Sequence, residues 1–225
     1  MNRACLIIFP LALVVLFSPS LAAYGISSTT QYYTKDSAPY GTHYADWIKK
    51  WWQWNVSVPK AEHPQTNPKT VCATKVSGQV SFLVQSYQGP QHYTCTIPTK
   101  NAIMVPISTG SCTSIEAHST KLADLVNCAS NGDQHLTFKA TLDGALLNNL
   151  QNNYATTNLF TMTLPNDNFE NLKAGTYPTG AGGYFIFLKP LPAGQHNLHV
   201  TARVLNPTDP SFNYDYDASY DLKVR

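Results

Sequence analysis

Histidine side chains are the first residues in this chain that could do chemistry, because imidazole binds metals and transfers protons near neutral pH. His196 and His199 are the closest pair among the seven histidines. They lie in HNLHVTARVL, whose alternation predicts a strand, and positions three apart on a strand point to opposite faces. This pair cannot chelate a metal unless the strand is bulged. The others are scattered among predicted loops and element ends, where we interpret them as solvated or hydrogen-bonded: His43, His63, His92, His118 and His135. We predict no metal site and no cofactor.

Acidic residues near the carboxyl terminus offer a second possibility, a calcium site. Asp215, Asp217 and Asp221 alternate with other residues, so they share one face of a predicted strand, and Asp209 lies nearby. Calcium prefers carboxylate and carbonyl oxygens of this kind. A solvent-facing edge strand explains the same pattern, because charges there discourage pairing with other molecules. We favour the edge strand.

Residues for hydrolytic catalysis are scarce. The chain lacks the Gly-x-Ser-x-Gly sequence that presents a nucleophilic serine on a sharp turn. Glycosidases commonly use two carboxylates, but the only glutamates are Glu62, Glu116 and Glu170. We therefore predict no catalytic residue, and a secreted hydrolase ranks behind two kinds of binding protein.

The amino terminus has the pattern of a secretory signal. Arg3 gives a positive start, residues 4–17 form an apolar run, and small residues at 20–23 provide a cleavage site. We predict a signal peptide at residues 1–22 and a secreted or cell-surface protein. A retained membrane anchor is the alternative, since the apolar run approaches the roughly 20 residues that a spanning helix needs. After cleavage, no stable membrane span is expected.

Four cysteines follow the predicted signal, and an oxidising compartment favours bridges over free thiols. Four cysteines allow three connectivities. We favour the pairs that are close in sequence, Cys72 with Cys95 and Cys112 with Cys128, because each closes a loop around one structural element.

The charge pattern excludes one class of partner. The net charge is only +2, and 12% of the residues are charged. Nucleic-acid binding demands a basic stripe, which this sequence does not contain. We predict no nucleic-acid partner.

All four tryptophans lie within ADWIKKWWQW, residues 45–54. Thr42 is a suitable N-cap for a helix over residues 43–55. On a helical wheel, one continuous arc opposite the two lysines holds the large apolar residues, Trp47, Ile48, Trp51, Trp52 and Trp54. We predict that this arc docks on the core, with Trp47 and Trp51 central. A platform of exposed rings that stack on sugars is the alternative.

The rest of the chain consists mainly of short alternating or continuous apolar segments between turn residues, which indicates β structure. Residues 102–107 should form a strand buried on both faces, with Pro106 at a strand end or bulge. Asp143-Gly144 predicts a tight hairpin. A second, short helix is predicted within residues 111–129, with Ser119 as a plausible cap.

These elements together predict an all-β, mainly antiparallel fold, either a β-sandwich or a jelly roll, with a Trp-rich amino-terminal helix and one further short helix. The predicted organisation is a signal peptide (1–22), an extended amino-terminal arm (23–41) and a single β-sandwich domain (42–225).

Several stretches together resemble a known group of proteins: WWQWNVSVP, VCATKVSGQVSFLVQ, TCTIPTKNAIMVPI, FTMTLPNDN and GGYFIFLKPLPAGQHNLHV. The chain resembles a widespread set of secreted bacterial and archaeal proteins of uncharacterised function, which share a Trp-rich segment, a Gly-x-Val-x-Phe-Leu strand, a Cys-x-x-Pro segment and a late Gly-x-His strand. The likeness covers nearly the whole mature chain. It implies one exported domain and places the four cysteines in the shared pattern, but it implies no catalytic or binding residue. Ser81 departs from the pattern, in which an aromatic residue is common here.

The sequence thus predicts a secreted, non-catalytic binding or structural protein at the cell surface. Its partner could be a glycan, in which case the protein is a carbohydrate-binding module, or another protein. Self-assembly is a further possibility, because an exposed arm or edge strand can pair with a second subunit by strand addition.

Overall fold

The structure is a computed structural model that describes residues 31–63, 66, 72, 74–84, 90–130, 135–208, 210 and 213–225. The predicted signal peptide (1–22), the first part of the predicted arm (23–30) and Asp209 lie outside the described residues. In the part of the chain that is described, no helix combines the length and the apolar character needed to cross a bilayer.

Two α-helices and eleven strands follow one another along the described chain. Helix α1 spans Tyr44–Asn55 and helix α2 spans Leu122–Ala129. The strands are β1 (Thr74–Ser77), β2 (Val80–Leu83), β3 (Pro90–Ile97), β4 (Ala102–Thr113), β5 (Leu136–Leu142), β6 (Ala145–Leu146), β7 (Tyr154–Thr156), β8 (Phe160–Leu164), β9 (Gly175–Leu188), β10 (Gly194–Val204) and β11 (Tyr214–Val224).

The strands form two sheets. The six-stranded sheet has the order β1-β2-β4-β9-β7, and β8 also pairs with β9. The five-stranded sheet has the order β3-β11-β10-β5-β6. Most neighbours are antiparallel, whereas β2 with β4 and β3 with β11 are parallel. The inner faces of both sheets contribute to one apolar core. The predicted sandwich-like all-β fold, with a Trp-rich helix and one further short helix, is confirmed.

Strands β4 and β9 lie in the middle of the six-stranded sheet and are buried on both faces. Ile103, Val105 and Ile186 point into the core between the sheets. Met104 and Phe185 point into a second core, on the other side of the same sheet, which α1 covers. The pairing register shifts between Pro106 and Ser108. The predicted strand with two buried faces and the predicted position of Pro106 at a bulge are therefore confirmed.

The prediction that the acidic strand lies at a sheet edge is wrong. β11 is paired with β10 on one side and with β3 on the other. The pairing of β3 with β11 joins segments more than a hundred residues apart, and alternation within one strand carries no information about such a partner.

The predicted helix starts also need correction. The N-cap of α1 is His43 rather than Thr42, and no side chain caps the helix. The Thr42 N–H instead closes a short 3₁₀ turn at Pro39–Gly41. The second helix occupies only the last part of the segment in which it was predicted, residues 111–129. The start of that segment belongs to β4, whose pairing with β9 continues to Thr113.

At the start of α2 the N-cap is Lys121 rather than Ser119. Ser119 still contributes through its hydroxyl, which accepts a hydrogen bond from the Lys121 N–H at 3.1 Å and donates one to the Asp124 carboxylate at 2.6 Å.

The described part of the arm packs against its own chain. Tyr32 bridges Leu188 at the end of β9, and the Tyr33 N–H donates to the Phe187 carbonyl at 2.8 Å. The Tyr32 hydroxyl donates to the Asn148 carbonyl at 2.6 Å. These contacts anchor the chain from residue 31 onward.

Both predicted disulfides are present, Cys72–Cys95 and Cys112–Cys128. The second joins β4 to the end of α2. The helix lies so close to the sheet that a Cβ atom at Gly110 would approach the Ala129 carbonyl oxygen to 2.1 Å. Glycine at this position therefore permits the contact between helix and strand.

Helix α1 lies on the outer side of the six-stranded sheet with all four tryptophans buried. Trp51 is only 1% exposed and Trp54, the most exposed of the four, 8%. Three indole N–H groups donate to acceptors in the core: Trp47 to the Pro39 carbonyl, Trp51 to the Leu83 carbonyl and Trp52 to the Thr109 hydroxyl. The rings are docked on the core and do not form an exposed platform.

Replacing Trp51 by alanine should lower the free energy of unfolding by about 3–5 kcal/mol, because it removes a fully buried indole and leaves a cavity. Denaturant unfolding measures this loss. Lys49→Ala, on the half-exposed side of the same helix, is the control and should change stability by less than about 0.5 kcal/mol. Equal stability of Trp51→Ala and the parent would contradict the docked arrangement.

Candidate functional site

The solvent-facing side of the five-stranded sheet carries polar side chains from β3, β5, β10 and β11, and we call it the polar face. On β10 and β11, its residues alternate with apolar residues that point into the core. Its side chains are His92, Thr94, Thr137, Lys139, Thr141, Asn197, His199, Thr201, Arg203, Asp215, Asp217, Ser219 and Asp221.

Charged groups on the polar face pair across strands. His92 on β3 contacts Asp221 on β11 at 2.7 Å, and Asn197 on β10 donates to the same carboxylate at 2.9 Å. These two hydrogen bonds, from Asn197 and His92, lower the pKa of Asp221. His199 contacts Asp217 at 2.8 Å. The pairs orient side chains across three adjacent strands.

The three aspartates therefore have basic or amide partners. Asp215 lies 3.7 Å from Arg203, and the other two aspartates, Asp217 and Asp221, each contact a histidine. Among the described residues, no group of three or more histidine, cysteine, aspartate or glutamate side chains is placed to hold a metal ion.

His196 and His199, which were expected to point to opposite faces of their strand, contact different aspartates. His196 Nδ1 contacts Asp143 at 2.7 Å, and the Asn197 N–H donates to the same carboxylate at 2.8 Å. Burial lowers the pKa of His196, but the hydrogen bond and the negative charge of Asp143 outweigh it, so that the net shift is upward. Asp143 and Gly144 both have positive φ, as the predicted hairpin requires.

A shallow depression of about 350 Å³ lies at one end of the polar face. It spans β5, β10 and β11, and its lining combines two cations, one carboxylate and two hydroxyls: Lys139, Arg203, Asp215, Thr137 and Thr201. Its size lies at the lower end of the range for small-molecule sites. The sequence did not predict this grouping, because the residues come from three segments whose order in the sheet is set by long-range pairing.

His63 forms a buried polar contact beneath the end of α1. It is fully buried, its Nε2 lies 3.1 Å from the Asn55 side-chain oxygen, and its ring stacks on Phe169 with the centroids 3.8 Å apart. Burial lowers the pKa of His63 to about 4. The imidazole is therefore neutral at physiological pH, which suits a structural role.

Asn55 also begins the sequence Asn55-Val56-Ser57, which has the form of an N-glycosylation acceptor. Its side chain is 2% exposed and contacts His63. In the folded protein this asparagine is not accessible for modification.

Two of the three candidate glutamates interact electrostatically. The Thr113 N–H and hydroxyl donate to the Glu116 carboxylate at 2.8 and 2.6 Å. Burial, and to a lesser extent the negative charge of Glu116, raise the pKa of Glu170 to about 7. Glu62 is exposed. Sequence reasoning named the three residues but could not pair them, since Glu116 and Glu170 lie on different loops.

No protein-family model and no curated protein sequence matches the chain. Two solved structures show a limited likeness. The cysteine protease inhibitor EhICP2 from Entamoeba histolytica is 10% identical, with 60% of this chain and 87% of that chain covered at a TM-score of 0.23. PbICP-C, solved in complex with falcipain-2, is 10% identical, with 66% and 100% covered at a TM-score of 0.25. Likeness at this level carries no argument about fold or function.

The burial of His63 predicts that its own contribution to stability falls with acidification, whereas the raised pKa of Glu170 acts in the opposite direction between pH 4.5 and about 7. Its pKa is about 4 in the folded protein against an ordinary value of 6.5 for histidine, so the unfolded chain binds more protons at His63 between these values. The stabilising contribution is complete above pH 6.5 and is lost as the pH falls toward 4, a change of about 3 kcal/mol.

Denaturant unfolding at a series of pH values measures this dependence. His63→Gln cannot titrate, so the difference in stability between the parent and this variant should fall by about 3 kcal/mol between pH 6.5 and pH 4. His43→Gln, at the exposed start of α1, is the control for the removal of a surface histidine. An identical pH profile for His63→Gln and the parent would contradict the assignment.

Proposed function

We propose that this protein is a secreted, non-catalytic binding protein that acts outside the cytoplasm, and that the depression on the polar face is its ligand site. The proposal includes a cleaved signal peptide at residues 1–22, a single sandwich domain over residues 42–225, and membership in the secreted bacterial and archaeal group that the sequence resembles. The two disulfides support an oxidising compartment.

The main support for this ligand site is the arrangement of hydrogen-bond donors and acceptors in the depression. Lys139, Arg203 and Asp215 come from three adjacent strands, and the register of those strands fixes their spacing. β10 and β11 are interior strands of the sheet, flanked on both sides. A site on such strands holds its groups more rigidly than a site on loops does.

The lining indicates the chemical class of the ligand. Two cations against one carboxylate leave a net positive charge, which suits an anionic group, and two threonine hydroxyls can bond to further hydroxyls. We therefore propose an acidic glycan. Stacking of sugar rings on tryptophan does not contribute to binding at this site, because all four indoles are buried in the second core.

Removing either cation should weaken binding of acidic glycans. Arg203→Gln and Lys139→Gln each delete one charge from the depression and should raise the dissociation constant about tenfold. Lys223→Gln is the matched control, since it removes a lysine from the opposite end of β11, and it should leave binding unchanged. A glycan array followed by titration calorimetry makes the measurement. The proposal would be contradicted if the protein bound no acidic glycan on the array, or if all three variants weakened binding equally.

A hydrolase is the second candidate, supported by the pair of Glu116 and Glu170. Acid–base catalysis at neutral pH requires one protonated and one ionised carboxyl. Glu170, with a pKa of about 7, can serve as the acid, while the Glu116 carboxylate is held by the two hydrogen bonds from Thr113.

A screen of glycoside substrates tests this candidate. Activity should decline as the pH rises through about 7, because Glu170 then loses its proton. Glu170→Gln should abolish turnover, whereas Glu62→Gln should not change it. Glycosidase activity that survives Glu170→Gln in a correctly folded protein would remove Glu170 from the mechanism.

A further inference from the structure

The outer edge of the six-stranded sheet is formed by β7 and β8, which follow one another along the same side of β9. Among the described residues, no strand pairs with β8 on its other side. Helix α1 runs beside this edge and contacts it through Gln53. The edge is therefore bordered by a helix and not closed by a further strand.

The register shows which main-chain groups of β8 point outward. Thr161 lies opposite Pro178, which has no N–H to donate. The Thr161 carbonyl instead accepts a hydrogen bond from the Gln53 side chain at 3.0 Å, on the side away from β9. Because main-chain groups alternate in direction along a strand, those of Thr163 point outward as well. Within the described residues, none of the main-chain hydrogen bonds outside the regular ladders involves Thr163.

A groove of about 380 Å³ lies along this edge. Its lining comes from two segments: Gln53 of α1 with Ser57, which follows the helix, and Thr161 and Thr163 of β8 with Pro165, which follows the strand. None of these side chains is charged. A strand edge beside a helix can accept an extended peptide, which adds a strand through main-chain hydrogen bonds.

The chain itself contains a segment that fits this groove. Residues 24–30, YGISSTT, carry no charge and are rich in hydroxyl and β-branched side chains. The arm is anchored on β9 from Tyr32 onward, and residues 24–30 are the stretch that precedes this anchor. Seven extended residues span about 23 Å, which exceeds the roughly 17 Å of a five-residue strand such as β8.

We propose that the groove between β8 and α1 binds residues 24–30 of a second copy of this chain as an added strand, so that the mature protein assembles by strand donation. The groove lies on the six-stranded sheet, so this assembly does not depend on the polar face of the other sheet. The outward N–H groups of Thr161 and Thr163 and the Thr163 carbonyl supply the main-chain bonds, and the neutral walls select a neutral polar segment.

The test uses the chain without residues 1–22, in sedimentation velocity over a wide concentration range and in hydrogen exchange. Association should increase with concentration, and the Thr163 amide should become more protected as it does. Thr163→Pro removes the outward N–H and should weaken association about tenfold or more. Thr163→Ser keeps both the N–H and the hydroxyl that lines the groove, so it is the matched control and should retain most of the association.

Ser28→Pro provides an independent test, because it removes a donor from the donated segment and alters nothing in the groove. It should weaken association about tenfold or more. This expectation holds whether or not Thr163→Pro folds. A monomer at every concentration would overturn the proposal, and so would association that Ser28→Pro leaves unchanged. Protection of Thr163 in a monomer, independent of concentration, would show that the arm occupies its own groove, which also overturns donation to a second copy.

Discussion

The antiparallel pairing of β4 with β9 is the interaction on which the other parts of the structure depend. Each strand contributes to two cores at once, one between the sheets and one beneath α1. β2 attaches to β4, while β7, β8 and the arm at Tyr32 all attach to β9. A shift in the register of this pairing would expose apolar residues of both cores. Burial on both faces also explains why the sequence of these strands reads as continuous apolar runs instead of an alternation.

The two halves of β4 differ in composition, and a different helix packs on each half. The first half of β4 is apolar and contributes to the core beneath the tryptophan helix, whereas its second half, STGSCT, is small and polar and contacts that helix through Thr109. Over the second half lies α2, in which only Leu125 is fully buried. An eight-residue helix with so little apolar contact is marginal alone. The covalent link between Cys112 and Cys128 and the space at Gly110 hold it in place.

Local patterns predicted the parts of the fold that local physics decides. The tryptophan arc, the hairpin at Asp143-Gly144 and the bulge at Pro106 depend on residues close in sequence, and each prediction agrees with the structure. The position of β11 depends on its pairing with β3, which no short window contains, so its assignment to an edge failed. The depression at Arg203 was missed for the same reason, because its residues meet only after the strand order is set.

The burial of Asn55 bears on the choice of host in which this chain is made. Eukaryotic secretion machinery attaches glycans to nascent chains, before an asparagine is withdrawn into a core. A glycan at Asn55 could not enter the space that His63 and the end of α1 occupy. A chain modified in this way could not complete the packing of the tryptophan helix. Expression in a bacterial periplasm avoids the conflict, since it allows disulfide formation without this modification.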